Sequence, residues 1–456
     1  MRVIFVIRTA TTFHYFASIV RALCERGHKV DVLFDRMKRS REATREPMEE
    51  IKHDFPEGFS YDFTASRTGG SLRWIILARE LSSYHKLLLT KEQADLWRMA
   101  QIKILPQKLQ PLLAERSSLA NLILGTKFIG WALHLVERFV PPDKTIIRSL
   151  KREKPDVVIA APVNFTYSSA DLEYLKAAKY LGIPTVVPVM SLDNLTVRGP
   201  LYVIPDRLLV WNANQAKEAM ENHGIPRGNI RLIGATVFDG WFVKLAPSVS
   251  AEEFAGLAGI SAQDPYILWL GSPKNIATDE TWLISRVKDA LEKSPDELMR
   301  KIQIVVRPHP TGYRQYENFR KSGVVIFPKE GERPSTGDAR QTFYDTIHYA
   351  SAAVNINTSG IIDAIIAGKP AIAIMDEAYH QSQEETHHFR QLLQYNVFAQ
   401  ARSPEQCAEE VKKIMAGRDE HKKEREFFVK DFIRPQGLEI SAGEMAAREV
   451  EKLVKR

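Results

Sequence analysis

Residues 1–34 read MRVIFVIRTATTFHYFASIVRALCERGHKVDVLF, and their order decides the fold. Val3–Ile7 is a short, branched, apolar run of the kind that makes a buried strand. From His14 to Gly27 the pattern is helical, with Gly27 placed to close the helix, and Val30–Phe34 is a second strand. Strand, loop, helix, glycine and strand make one β-α-β unit, which implies a parallel sheet. The loop Arg8-Thr9-Ala10-Thr11-Thr12 holds no glycine-rich phosphate fingerprint, so this unit fixes the fold and not the ligand.

The alternation continues outward. Further strands are expected near Asp156–Ala160, Thr185–Val189, Arg207–Val210 and Ile230–Ile233. A second series follows a linker near Leu245–Ser250, with strands at Tyr266–Leu270, Gln303–Val306, Val324–Phe327, Ala353–Ile356 and Pro370–Ile374. A chain of 456 residues exceeds what one hydrophobic core usually serves. The expected architecture is therefore α/β, with two Rossmann-like domains facing a central cleft. The first spans 1–245, the second 246–425, and 426–456 is a C-terminal helix, broken at Arg434-Pro435-Gln436-Gly437, that crosses back to the first.

Residues 66–154 interrupt the pattern. Helical stretches bearing Trp74, Trp97 and Trp131 are punctuated by Pro106, Pro111, Pro141 and Pro142, and are read as a helical insertion in the first domain. The chain's net charge of +7 concentrates there: 16 Lys/Arg against 7 Asp/Glu give a local +9, leaving the remainder at −2. Such a segment is either a satellite bundle with a solvated basic face or a docking surface for membrane or an anionic acceptor. No nucleic-acid module accompanies the charge, so no nucleic-acid partner is expected. Cys24 and Cys407 are the only cysteines, which fits a reducing cytosol. No apolar stretch reaches the roughly 20 residues of a membrane span, so the expected location is cytoplasmic, peripheral at the inner membrane face if the insertion docks there.

The strongest chemical signal is Asn355-Ile356-Asn357-Thr358-Ser359-Gly360-Ile361-Ile362-Asp363-Ala364, followed by Gly368-Lys369-Pro370. Thr358, Ser359 and Gly360 would put hydroxyls and backbone N–H groups at a helix N-terminus, an anion site for a diphosphate. Asp363 lies one turn in, where its carboxylate could accept from ribose hydroxyls. The plain alternative is an ordinary capped helix. After a buried strand, Arg307-Pro308-His309-Pro310 presents a guanidinium and an imidazole on a stiffened exit, suited to phosphate oxygens; the alternative is a structural ion pair. In Gly271-Ser272-Pro273-Lys274, Ser272 and Lys274 could touch phosphate or acceptor, or merely form a turn. Glu330 and Glu332 follow another strand and are candidates for nucleoside contact. Within Ser191-Leu192-Asp193-Asn194-Leu195-Thr196, Asp193 could act as general base toward an acceptor hydroxyl, with Asn194 beside it; His14 is the rival base. His380, Glu384, Glu385, His387 and His388 resemble a metal set by composition, but His387 and His388 are adjacent on a helix and point apart, so no metal is expected.

These stretches resemble the GT-B glycosyltransferase superfamily, above all bacterial surface-polysaccharide transferases. A more distant similarity links them to CDP-glycerol glycerophosphotransferases and nonhydrolysing UDP-N-acetylglucosamine 2-epimerases. The resemblance rests on Ser191–Gly199, Pro205-Asp206-Arg207, Val210-Trp211-Asn212, Gly234–Asp239, Arg307–Pro310 and Asn357–Pro370, with Leu192 where the pattern commonly has Trp and Asp363 where it often has Glu. It implies a nucleotide-sugar donor held by the second domain through Arg307, His309, Thr358, Ser359 and Gly360, with His309 taking leaving-group charge. It also implies a glycan or lipid-linked acceptor on the first domain and neither metal nor cofactor. Nucleotide-sugar epimerisation, CDP-polyol phosphotransfer and a non-catalytic nucleotide-binding scaffold are the alternatives.

Overall fold

A computed structural model describes residues 1–35, 45–67, 72–89, 95–164, 170–243, 245–331 and 337–455. The chain divides into two compact units, one formed by Met1–Phe242 with Asp431–Arg456, the other by Val243–Lys430.

The first unit holds β1 (Arg2–Ile7), β2 (Lys29–Phe34), β3 (Phe59–Phe63), β4 (Val157–Ala161), β5 (Thr185–Pro188), β6 (Arg207–Val210) and β7 (Ile230–Leu232). They form one parallel sheet in the order β3-β2-β1-β4-β5-β6-β7. Strand alternation sends Val3, Phe5 and Ile7 into one core and Ile4 and Val6 into another, so both faces are covered. Gly27, at φ +79°, ends the helix Ala17–Glu25 and turns the chain into β2. β3 was not foreseen: in Phe59-Ser60-Tyr61-Asp62-Phe63 every second residue is polar, as suits an edge strand.

Between β3 and β4 lies the helical insertion, with helices at Leu72–Leu89, Asp95–Ile102, Gln110–Ala114, Leu119–Leu124, Lys127–Phe139 and Lys144–Glu153 among the described residues. Tyr84, Ile102, Leu105 and Leu113 give it a small core of its own. Ile146 and Leu150 of its last helix join the apolar core of the first unit, and a buried ionic network ties the rest. Arg79 forks onto Glu137 at 2.7 and 2.8 Å and reaches Glu173 at 2.7 Å, on the helix after β4. Lys176 closes on Glu137 at 2.5 Å. Breaking such a network on one side strands a buried charge, which costs about 3–5 kcal/mol.

The C-terminal helix Ala442–Val454 packs in the first unit. Asp239 accepts from the N–H groups of Ala442 and Gly443 at 3.0 and 2.8 Å and pairs with Arg434 at 2.8 Å, so one carboxylate caps the helix and neutralises the arginine before it. At the far end Glu451 takes Arg26 and His28, both at 2.7 Å, and the Arg26 bond holds its carboxyl down at about 2.

The second unit holds β8 (Tyr266–Leu270), β9 (Gln303–Arg307), β10 (Val324–Ile326), β11 (Ala352–Asn355), β12 (Ala371–Ile374) and β13 (Ala399–Ala401). The parallel order is β10-β9-β8-β11-β12-β13. Both sheets thus change winding direction beside their first strand, at β1/β4 and at β8/β11. In open parallel sheets ligands bind off the carboxyl ends of the strands at this switch point.

Candidate functional site

Register decides which loops meet. Arg307 pairs with Leu270, and Leu270 with Asn355, so the last residues of β9, β8 and β11 stand level at one edge. The segments that follow are Pro308–Pro310, Gly271–Lys274 and Ile356–Gly360, the three that carried the chemical signals in the sequence. Strand spacing confines them to about 10 Å.

Close backbone approaches knit these exits together. Gly271 N–H donates to the Arg307 carbonyl at 2.9 Å, and a Cβ on Gly271 would sit 3.1 Å from the N of His309. A Cβ on Gly312 would lie 2.5 Å from the Ser272 carbonyl, and one on Gly331 2.6 Å from Cα of Pro310. The exit of β10, which carries exposed Glu330, is therefore pressed onto the His309 loop. Glu332 lies outside the described residues.

His309 is half-buried, and the Thr311 N–H donates to its Nδ1 at 3.1 Å. That places the proton of a neutral ring on Nε2. Arg307 is placed differently from the exposed fork expected. It is 5% exposed, its Cζ lies 4.7 Å from the Phe343 ring centroid, and Nη1 is 3.5 Å from Thr346 Oγ1. An arginine at the end of a buried strand meets the neighbouring helix Gly337–His348 first, and takes its aromatic face. Phe343 also borders the β11 turn, since a Cβ on Gly360 would stand 3.8 Å from its Cζ. Arg307 and Gly360 therefore share one aromatic neighbour.

In that turn Thr358 is half-buried and Ser359 exposed. The backbone N–H groups of Thr358 and Ser359 have no acceptor among the described residues. The helix that follows, Gly360–Ile366, is only seven residues long; Ser359 Oγ does not cap it, and the Gly360 N–H lies 3.5 Å from Thr358 Oγ1. Asp363 is half-buried in its first turn. Asn357 fastens the turn from below: its Nδ2 donates to the Ser382 carbonyl at 2.8 Å and its Oδ1 meets His388 Nε2 at 3.0 Å. Among the described residues no group of three His, Cys, Asp or Glu side chains is placed to hold a metal.

Ser272 does not face a ligand. It is fully buried, its N–H donates to Glu280 at 2.8 Å, and its Oγ lies 3.3 Å from the same carboxylate. Trp269 Nε1 and Tyr316 Oη also donate to Glu280, whose burial raises its carboxyl above the ordinary range. Glu280 is thus the lock of the β8 exit, and Lys274 is left as that loop's exposed charge.

In the first unit His14 and Asp193 follow β1 and β5, two strand spacings apart with β4 between. His14 is half-buried against Tyr15, ring centroids 4.2 Å apart. Asp193 is half-buried and its Oδ1 accepts from Ser191 Oγ at 2.8 Å. Asn194 is spent on structure: 2% exposed, it donates to Asn164 Oδ1 at 2.6 Å and accepts from the Met190 N–H at 3.1 Å. Lys86 of the insertion binds the carbonyls of Leu195 and Arg198, both at 3.0 Å. Because Leu201 N–H donates to His223 Nδ1, His223 Nε2–H points to the Leu195 carbonyl at 2.8 Å. Burial, reinforced by Lys86, keeps His223 well below its ordinary value, hence neutral.

A buried cluster that sequence reasoning missed occupies the first switch point. Asp171 accepts from the Val163 N–H at 2.9 Å, and Val163 sits at φ +50°, a costly conformation for a β-branched residue. Burial raises Asp171 to about 6, with Asp35 adding to the rise while its backbone donors and Arg8 oppose it. Arg8, Asp35 and Asp171 come from three separate strand exits, so no local motif signals them.

No protein-family model and no curated protein matches the chain. Solved structures match its whole length. S. aureus MnaA, in a structure with UDP, aligns over 100% of this chain and 97% of its own at TM-score 0.55 and 11% identity. The Methanocaldococcus jannaschii UDP-GlcNAc 2-epimerase, in complex with UDP-GlcNAc and UDP, covers 99% and 100% at 0.53 and 12%. A glycosyltransferase from Rickettsia africae covers 100% and 97% at 0.52 and 10%. The chain has the GT-B type of two-domain α/β fold shared by these epimerases and glycosyltransferases.

Proposed function

We propose that the protein is a glycosyltransferase that moves a sugar from a nucleotide-sugar donor, UDP-linked in the first instance, to a hydroxyl of a surface polysaccharide or lipid-linked glycan, without a metal ion. The observation that carries this reading is the level alignment of the β9, β8 and β11 exits at the second switch point. At that edge stand the Thr358–Ser359 turn and the His309 loop, with Arg307 buried against Phe343, the ring that also borders Gly360.

In this reaction the acceptor oxygen bonds to the anomeric carbon while the bond from that carbon to the β-phosphate oxygen breaks. The electron pair leaves on the nucleoside diphosphate, whose growing charge meets His309 and the turn amides. The acceptor's proton passes to Asp193 or His14 of the first unit.

Epimerisation of the nucleotide sugar is the second reading, favoured by the fold shared with UDP-GlcNAc 2-epimerases. Two measurements separate the readings. Thermal shift against UDP, CDP, GDP and dTDP identifies the base, because stabilisation follows ligand concentration over Kd. Proton NMR of the matching nucleotide sugar, with and without glycan acceptors, then distinguishes the chemistry. Acceptor-dependent nucleotide release supports transfer, and acceptor-free change at the sugar supports epimerisation. Consumption of a CDP-polyol would show phosphotransfer, and binding without turnover on any donor would leave a scaffold.

A further inference from the structure

Of twenty large hydrophobic side chains exposed among the described residues, twelve lie between Trp74 and Phe139, inside the insertion. On the helix Lys127–Phe139 the exposed apolar residues are Phe128, Trp131, Val136 and Phe139, and on Leu119–Leu124 they are Leu119, Leu122 and Ile123. Both sets follow helical spacing, so each helix turns an apolar stripe outward. Trp131 and Phe139 are 60% and 78% exposed, in helices whose buried positions include the polar Asn121 and Glu137. A groove of about 560 Å³ runs beside the stripe, lined by Ile75, Trp131, Leu135, Val136 and Phe139 with Arg67 at its margin.

The charges sort the same way. Glu80 and Glu137 are buried, Glu137 in the Arg79 network, whereas the exposed charged side chains described from 72 to 139 are Arg73, Lys103, Lys108, Arg116, Lys127 and Arg138 against Glu115 alone. A second copy of such a face would meet its own positive charge. An anionic surface with an apolar interior complements both features, since aromatic rings enter the headgroup boundary while Lys and Arg meet lipid phosphates.

We propose that the outer face of the insertion, centred on Phe128, Trp131 and Phe139, docks the protein onto an anionic lipid bilayer, with the groove open to acyl chain. Among the described residues no helix is long and apolar enough to cross a membrane, so this docking is interfacial. The inference does not depend on the transferase reading, because binding is measured without donor or acceptor.

The test is sedimentation of the full chain with vesicles of phosphatidylcholine alone or mixed with phosphatidylglycerol, at low salt and at about 0.5 M salt. Binding to the mixed vesicles that weakens with salt is expected. It should fall at least about tenfold in Trp131→Ser/Phe139→Ser and in Lys127→Glu/Arg138→Glu. Both pairs are exposed, and circular dichroism confirms folding. Absence of binding to anionic vesicles, or equal binding by the folded variants, overturns the proposal. So does a dimer, seen by light scattering, that Trp131→Ser/Phe139→Ser dissociates, since the face would then serve a second copy.

Discussion

Phe343 carries the Arg307 guanidinium over its ring, Cζ to centroid 4.7 Å, while the same ring borders Gly360 in the β11 turn. A desolvated cation over an aromatic face contributes about 2 kcal/mol. Arg307→Met should therefore cost about that much stability in urea melts and, if the guanidinium serves the donor's phosphates, weaken nucleotide binding about tenfold or more. Phe343→Leu should reproduce the stability loss while keeping most of the affinity. Equal nucleotide affinity in wild type and Arg307→Met would remove the guanidinium from the donor site.

Gly360 separates the protein's needs from those of its ligand. A Cβ there would stand 3.7 Å from Leu270 and 3.8 Å from Phe343, ordinary contact distances, so Gly360→Ala should fold with an unchanged melting temperature. If a diphosphate lies against the turn, the added methyl occupies its path, and the thermal shift with nucleotide should shrink to near zero. A full shift in Gly360→Ala would place the diphosphate elsewhere.

A neutral His309 ring carries its proton on Nε2 because Thr311 N–H donates to Nδ1. His309→Ala should lower kcat by about 10²–10³, the range for removing one donor to a leaving-group charge, with KM and stability little changed. Gly331→Ala is a gentler test of the same loop, since its Cβ would meet Pro310 Cα at 2.6 Å and must displace the His309 loop. Its turnover should fall in steady-state assays without any change at His309 itself. Wild-type kcat in a folded His309→Ala protein would exclude the residue from the chemistry.

How far these features could be read in the sequence follows from their reach along the chain. The central strands were legible because continuous Val/Ile/Leu runs can only be buried on both faces. β3 and β13, Phe59–Phe63 and Ala399–Ala401, are edge strands whose polar alternation or brevity erases that signal. The β9 and β11 exits were legible as motifs because their residues are contiguous. Ser272 misled for the opposite reason: its partner Glu280 lies eight residues on, folded back beneath the loop. Nor does the one-letter code show that Lys86 reaches 109 residues ahead to Leu195, or that Arg8, Asp35 and Asp171 converge.

Lys86 gives the fold a pH signature. Burial lowers its ammonium from 10.5 to about 7. Between those values the unfolded chain holds the proton and the folded chain does not, so stability rises with pH across the window, at up to about 1.4 kcal/mol per unit. Below pH 7 both states are protonated and the contribution stays at its minimum. Urea midpoints for wild type minus Lys86→Met should therefore climb from pH 7 to 10. A flat difference would mean that Lys86 keeps its ordinary value in the folded protein.

The choice between Asp193 and His14 as base turns on what each loses when changed. Asp193 Oδ1 already accepts from Ser191 Oγ, and its loop is fixed by Lys86 and His223, so Asp193→Asn should leave the loop in place while removing the proton acceptor. His14 packs against the Tyr15 ring in a tilted pair, and His14→Phe keeps that ring contact without a titratable nitrogen. Whichever is the base, its variant should lose about 10²–10⁴ in transfer rate while keeping the thermal shift with nucleotide, which is read on the other unit. The remaining variant should stay within a few-fold of wild type. Loss of nucleotide binding in either would show that the first unit's residues act on donor affinity, and a transfer rate unchanged in both would send the search to Asp171, the buried carboxyl raised to about 6 beside Arg8.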